Sequence, residues 1–188
     1  MTARVESSSQ DMWRHEGAGR QIRFRGLTTI VHVVSGATGG AATDSARPPN
    51  STGTPPGSAA LLEHILEPFN LGAPPHRHAR EDEISHVLAG RLAVWQAGEL
   101  HVAGPGETIV KPRNVFHTFW NPGDEPVRFL EVIAPGTGFE RYFEEIAPLI
   151  PAAGAPDIPG LMAVAARYGL ELDMAPVPEL LASHGLRM

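Results

Sequence analysis

The sequence has no cysteine, no cluster of basic residues and no long apolar run. Without cysteine, disulfide frameworks and thiolate metal sites are excluded, so histidine and carboxylate side chains must hold any metal ion. The chain has 15 Lys and Arg against 21 Asp and Glu, a formal charge of −6. A nucleic-acid backbone or an anionic membrane would need a basic stripe, which is missing. We therefore expect a small-molecule partner and neither nucleic acid nor membrane.

The sequence also lacks the features of a membrane or secreted protein. No segment approaches the roughly 18 consecutive apolar residues of a membrane helix. Residues 1–10 are polar and rich in serine, without the apolar stretch of a secretory signal. These two absences predict a cytoplasmic location.

Glycine and proline are abundant, with 20 and 18 residues in a chain of 188. This composition favours many turns over long helices, and the length suits one domain. Short apolar runs recur between the Gly and Pro breaks and predict strands in an all-β sandwich or barrel. The runs are 21–24, 27–34, 60–66, 83–88, 91–96, 108–110, 117–120 and 127–133.

Three segments fall outside this pattern. Residues 1–20 show no periodicity and are interpreted as an N-terminal arm, and residues 36–57 offer almost nothing to bury, which predicts a flexible insert in a barrel spanning 21–135. Residues 136–188 change to helical spacing. An apolar stripe predicts a first helix that Pro148 ends, and a second helix is expected over 159–168 with Gly169 as its stop. The stripe consists of Phe139, Tyr142, Phe143 and Ile146.

Four residues have the types and spacing of a metal site. His76 and His78 are two positions apart, so in an extended segment both imidazoles point to the same face. Glu83 opens the next strand, and His117 arrives on a later one. Three imidazoles and a carboxylate suit a borderline divalent metal ion.

A second pattern surrounds His117: Gly106, five residues, Pro112, one residue, Asn114, two residues, His117, three residues, Asn121. With His76, His78, Glu83 and Gly90, it resembles the two motifs of the cupin superfamily, G-x5-H-x-H-x3,4-E-x6-G and G-x5-P-x-G-x2-H-x3-N. The sequence departs from them at two places. Three residues lie between Gly72 and His76, where the motif has five. Asn114 replaces a glycine, although Asn also tolerates a left-handed turn.

The resemblance implies a small jelly-roll barrel in which His76, His78, Glu83 and His117 bind one divalent metal ion per chain. Iron, nickel or manganese is expected, with zinc or copper as further options, because ligand preferences overlap. The resemblance also implies that Gly90, Gly106 and Pro112 are turn residues and that Asn121 is a hydrogen bonder at a turn or strand end.

Further polar residues lie within the predicted strands. Alternation from Glu83 places Ser85 and Val87 on the metal side and His86 on the opposite side. One of Glu63 and His64 must face inward, but the irregular stretch 68–75 leaves open which, and Glu131 poses the same question. A polar residue on a half-exposed strand is the simpler interpretation of all three. His15, His32, His101 and His184 lack partner spacing and are predicted at the surface.

A complete ligand set favours an enzyme over a binding module. The single barrel with its helical tail is similar to quercetin-dioxygenase-type monocupins, which implies a dioxygenase acting on a hydroxylated aromatic, flavonoid-like or polyketide-like molecule. Glu83 is the candidate catalytic residue, since a carboxylate can accept a substrate proton. A non-oxidative isomerase, cyclase or lyase and a binding module without turnover remain alternatives. The two-sided hydrophobicity of the strands around 83–96 and the resemblance also predict a homodimer.

Overall fold

A computed structural model of the chain describes residues 20–34, 59–136 and 138–188. Most of the predicted arm (1–20) and the predicted insert (36–57) lie outside these residues. Ten strands form the barrel region: β1 (Arg20–Phe24), β2 (Leu27–Val34), β3 (Ala60–Leu66), β4 (Leu71–His78), β5 (Asp82–Ala89), β6 (Leu92–Gln96), β7 (Glu99–Ala103), β8 (Thr108–Lys111), β9 (His117–Trp120) and β10 (Val127–Ala134).

The tail follows these strands. It contains α1 (Phe139–Ile146), a single 3₁₀ turn (Ala147–Leu149), α2 (Ile158–Arg167), β11 (Leu170–Leu172) and α3 (Val177–His184). Asp157 caps α2 by accepting a hydrogen bond from the Gly160 amide, 3.0 Å away. Gly169 follows α2 at φ 78°, the left-handed geometry expected of a helix stop. Both predicted helices are therefore confirmed, with bounds shifted by about one residue.

The strands form two antiparallel sheets, as a jelly roll requires. The six-stranded sheet has the order β1-β2-β3-β10-β5-β8, and the five-stranded sheet has the order β11-β4-β9-β6-β7. The all-β jelly-roll prediction with a helical tail is confirmed. Strand β11 comes from the tail but pairs with β4, bringing Leu172 opposite His76, so the tail contributes directly to the barrel wall beside the predicted site.

Two strands had no strong sequence signal. Four of the five residues in β7 are exposed, so the apolar alternation that marks a half-buried strand is missing. Strand β4 contains Pro74 and Pro75, which interrupt its ladder with β9: the register shifts between Leu71 and Ala73 and again between Ala73 and His76. Proline cannot donate to a ladder, and this is why the stretch looked irregular in the sequence.

Two buried apolar clusters set the position of the site. One fills the barrel interior between the sheets and includes Leu66, Val87, Leu92, Val94, Phe119 and Phe129. The other packs the tail onto the barrel and includes Leu62, Ile133, Phe139, Tyr142, Leu161 and Tyr168. Each fully buried large side chain of this kind contributes about 1.5–3 kcal/mol. The tail helices thus close one end of the barrel.

Within the described residues, no helix combines the length and the apolar character needed to span a bilayer.

Candidate metal centre

The fold brings the four predicted ligands together. His76 and His78 lie on β4, Glu83 on β5 and His117 on β9, and His76 pairs directly with His117 across the β4–β9 ladder. One ligand atom from each side chain lies within 4.8 Å of the other three. All four side chains are buried. The group can therefore hold a metal ion.

The distances around Glu83 suit a common centre. Its Oε2 lies 2.9 Å from His78 Nε2, 3.2 Å from His117 Nε2 and 3.8 Å from His76 Nε2. Ligand atoms bound at about 2.1 Å to one octahedral ion are about 3 Å apart at adjacent corners. The observed separations are close to this value or slightly longer.

In two of the imidazoles, a backbone carbonyl fixes which ring nitrogen carries a hydrogen. His76 Nδ1 lies 2.8 Å from the Pro74 carbonyl oxygen, and His117 Nδ1 lies 3.0 Å from that of Val115. A carbonyl only accepts, so each Nδ1 carries a hydrogen, and in the neutral form of each ring the Nε2 lone pair points inward. There the lone pairs meet the Glu83 carboxylate, which also only accepts. Several acceptors converging on one buried point fit a bound cation.

His78 adds a second observation of the same kind. Both of its ring nitrogens are buried without a hydrogen bond of acceptable geometry, and the same holds for Glu81 Oε2, 3.7 Å from His78 Nδ1. Orphaned buried polar atoms are rare and need an explanation. A metal ion at Nε2 accounts for one of them, and Glu81 is placed to support the ring from behind. The residues present therefore fit a divalent metal.

Charge and burial move the pKa values of the site in different directions. Burial lowers the pKa of His76 to about 4, and the neighbouring His117 adds to the shift. Burial would also lower the pKa of His78, but the carboxylates of Glu81 and Glu83 outweigh it and raise the value to about 9. Burial opposes ionisation of Glu83, yet the Lys111 ammonium holds its pKa well below the ordinary range.

Lys111 was not among the predicted site residues. Its side chain is fully buried, and Nζ donates to Glu83 Oε1 at 2.5 Å and to Glu131 Oε2 at 3.1 Å. Ser85 Oγ donates to both Glu131 oxygens at 3.1 Å. Burial, with repulsion from Glu83, raises the pKa of Glu131 to about 8, against the opposing effect of Lys111. An ammonium and three polar neighbours thus form a closed network behind the metal ligands.

The structure settles which polar strand residues face inward. His64 is buried on the cavity side, with Nδ1 2.9 Å from Thr29 Oγ1, and Glu63 faces away, paired with His32 and Arg128. Glu131 also faces inward, in the network with Lys111. The simpler interpretation of a half-exposed residue was therefore wrong for His64 and Glu131, and Glu63, although it faces away from the cavity, is also buried. Ser85 and Val87 are buried, as strand alternation predicted.

The remaining histidines mostly behave as expected. His86 faces outward and its Nδ1 lies 2.9 Å from Thr108 Oγ1, while His101 and His184 are exposed. His32 is a correction: its side chain is only 16% exposed, because Glu63 on the adjacent strand lies 2.9 Å from its Nε2. His15 lies outside the described residues.

The turn residues take the conformations that the motifs require. Asn114 has φ 63°, so it adopts the left-handed turn otherwise favoured by glycine, and Gly90 and Gly106 also have positive φ. The Asn121 side-chain amide donates to the carbonyls of Leu66 and Glu125 at 3.0 and 2.7 Å. It holds the end of β9 against the neighbouring loop.

A cavity of about 120 Å³ opens onto the ligands. Its walls are mainly apolar and include five aromatic rings: Phe24, Phe119, Phe139, Tyr142 and Phe143. Phe139 stacks on His78, with ring centroids 5.4 Å apart. The cavity lining also includes the polar side chains of His64 and Tyr142. Burial lowers the pKa of His64 to about 3, so its imidazole is neutral.

Comparison with known proteins gives the family. Residues 62–133, from β3 to β10, match the family described as "Cupin domain". The matched segment contains all four ligands and the turns between them. Residues 62–133 are a cupin domain.

Relatives of this cupin cover parts of the chain. Germin-like protein 3-7 of Oryza sativa subsp. japonica is 33% identical over 96 residues, 46% of this chain and 37% of that protein. Germin-like protein 3-8 of the same plant is 46% identical over 55 residues, 27% of this chain and 24% of that protein. The matches thus span well under half the length of either relative. Among solved structures, KdgF from Halomonas sp. has 17% identity and a TM-score of 0.46, covering 61% of this chain and 85% of that one.

Proposed function

We propose that this cupin is a metal-dependent dioxygenase acting on a small hydroxylated aromatic, flavonoid-like or polyketide-like molecule. The observation that carries the proposal is a complete set of three imidazoles and one carboxylate at the base of an apolar cavity lined by aromatic rings. Iron, nickel or manganese suits this donor set, with zinc or copper as alternatives.

A bound divalent ion would hold and polarise a substrate oxygen and, if redox-active, would permit reaction with dioxygen. His76, His78, Glu83 and His117 would hold it. Four protein ligands leave two positions of an octahedron for substrate and dioxygen.

The cavity walls support the substrate class. Flat apolar substrates stack favourably against rings such as Phe119, Phe139 and Phe143. The tail helices cover this end of the barrel, so the substrate would react in a space that largely excludes water. Neutral His64 and the hydroxyl of Tyr142 are available to bind a second polar group on the substrate.

Glu83 is the proposed catalytic residue. An imidazole that holds a metal ion through its lone pair cannot take a proton, whereas the carboxylate oxygen Oε2 keeps a second lone pair. Because Oε1 accepts from Lys111, proton transfer from a substrate hydroxyl would have to occur at Oε2. Lys111 also makes Glu83 a weaker base, so this role needs its own test, described in the Discussion.

A second candidate is a non-oxidative isomerase, cyclase or lyase. It is favoured by the Tyr142 hydroxyl and the Glu131 carboxyl on the cavity wall, which offer proton transfer without dioxygen. Oxygen uptake by metal-replete protein with a panel of catecholic and enolic compounds separates the two. Uptake with at least one compound is expected, and product formation without uptake would replace the dioxygenase by the second candidate.

A further inference from the structure

We propose that Lys111 is a positioning residue that limits Glu83 to one metal-binding oxygen. The two oxygens of Glu83 have different environments: Oε1 lies 2.5 Å from Lys111 Nζ, and Oε2 faces the three imidazole Nε2 atoms. The inference rests on the metal site proposed above, and it concerns how that site is built.

Lys111 is fixed in place by its surroundings. It lies directly opposite Glu83 on the neighbouring strand β8, and its side chain has no exposed area. A buried ammonium is stable only when paired and hydrogen-bonded. Glu131 supplies the second carboxylate, Ser85 holds Glu131 from the other side, and the Phe119 ring lies 4.9 Å from Nζ.

The consequence for the metal site follows from carboxylate chemistry. A carboxylate binds a metal ion through one oxygen or through both. With Oε1 taken by a charged donor at 2.5 Å, binding through both oxygens would break a buried ion pair. Glu83 is thereby held to a single metal bond, so the protein occupies four positions rather than five. The fifth and sixth stay open to substrate and a co-reactant.

The arrangement also completes the outer support of the ligands. His76 and His117 are oriented by backbone carbonyls, His78 is backed by Glu81, and Glu83 is backed by Lys111. Outer partners of this kind commonly change metal affinity 10- to 100-fold when removed. Lys111 is the only cation among these four partners, so it also balances the charge of the ligand carboxylate.

Cobalt(II) titration of four proteins tests the proposal: the unaltered chain, E131Q, the double variant K111M/E131Q and K111Q. The double variant removes the Lys111 ammonium together with the Glu131 carboxyl that pairs with it, so no buried group of this pair is left without its partner. E131Q is the matched control, because it keeps the contact between Lys111 and Glu83. The readouts are the visible absorption spectrum of bound cobalt, which reports the number and arrangement of its ligand atoms, and the dissociation constant.

We expect E131Q to retain the spectrum of the unaltered chain. K111M/E131Q should show visible bands altered in position and intensity and a dissociation constant changed by about 10- to 100-fold. In K111Q the Gln amide can still donate to Oε1, so its spectrum should stay close to that of the unaltered chain. A folded double variant with an unchanged spectrum and affinity would overturn the role of Lys111. Failure of the unaltered chain to bind cobalt would instead overturn the metal site itself.

Infrared spectroscopy of the unaltered chain shows whether one or both oxygens of Glu83 bind the metal, even if the double variant does not fold. The difference spectrum between metal-loaded and metal-free protein reports the carboxylate stretches, and E83Q assigns the bands of Glu83. A wide separation of the asymmetric and symmetric bands is expected for binding through one oxygen. A narrow separation, typical of binding through both, would contradict the proposal.

Discussion

His78 Nε2 lies 2.9 Å from Oε2 of Glu83, yet the two atoms do not form a hydrogen bond of acceptable geometry. The two atoms are therefore close because both side chains point to the same centre, not because they bond to each other. A proton on His78 is favoured by Glu81 and Glu83, which raise its pKa to about 9. A metal ion at the same point must displace that proton.

Metal affinity should consequently rise with pH. His76, with a pKa lowered to about 4, is already neutral at moderate pH, while His78 stays protonated up to about pH 9. Between about pH 5 and pH 8 His78 releases one proton for each metal ion bound, so it contributes an increase of about one per pH unit to the logarithm of the association constant. Isothermal titration calorimetry in buffers of different ionisation enthalpy measures the proton count.

The variant E81Q provides the control for this dependence. It removes one of the two carboxylates that raise the pKa of His78, so the slope should become shallower near neutral pH. A pH-independent affinity in the unaltered chain would show that His78 carries no proton to release.

The variant E83Q tests the proposed catalytic residue. Gln keeps an oxygen to accept from Lys111, so the barrel should survive, and the three imidazoles remain as ligands, so part of the metal binding should survive. Turnover should fall by about 10²- to 10⁴-fold, the usual effect of removing a general base. Steady-state oxygen uptake and product formation are the measurements, with metal content determined on the same samples.

The same variant separates the functional hypotheses. A binding module would keep its ligand affinity in E83Q and would form no product in either protein. Full turnover in metal-replete E83Q would remove Glu83 from the catalytic role while leaving it as a ligand.

The variant N121A should destabilise the barrel without touching the ligands. The Asn121 side chain is buried and donates to two backbone carbonyls, and its oxygen accepts from the Gly123 amide at 2.9 Å. An unsatisfied buried backbone group costs about 1–3 kcal/mol. Only the bond to Leu66 is fully buried and the other two are partly buried, so a loss of roughly 2–5 kcal/mol is expected. Chemical denaturation measures it. N121D keeps only the acceptor, so its stability should lie between those of N121A and the unaltered chain. An unchanged stability of N121A would show that water replaces all three bonds.

The homodimer stays a prediction. It follows from apolar residues on both faces of the strands around residues 83–96, which include Leu88, 37% exposed. Light scattering at micromolar concentration should give twice the mass of one chain, 20.1 kDa. A mass equal to one chain would remove the prediction.

The sequence predicted the cluster of four candidate ligands and most strands because their signals are local. His76 and His78 share a strand face, and the spacing around His117 follows a family motif. Lys111 and Glu81 were missed because their roles depend on contacts across strands. Lys111 is the last residue of the short strand β8 and follows Val110, which is 51% exposed. Apolar alternation would place Val110 inward and Lys111 outward, the opposite of what is observed.

The inward direction of His64 could not be predicted for a similar reason. The alternation of side chains between the two faces cannot be followed through the proline-containing strand β4, because the ladder register shifts twice there. Strand β11 has three residues, and only its pairing with β4 makes it a strand. Features that arise from pairing between distant segments leave little trace in the local pattern.

The central claim is that His76, His78, Glu83 and His117 form one metal site. Elemental analysis by mass spectrometry, on protein purified without a histidine tag, tests it most directly. The comparison is with H76A/H78A and with a control, H86A/H101A, which removes two outward-facing imidazoles instead. The account predicts about one divalent metal ion per chain in the unaltered protein and the control, and almost none in H76A/H78A. Stoichiometric metal retained in H76A/H78A would contradict it.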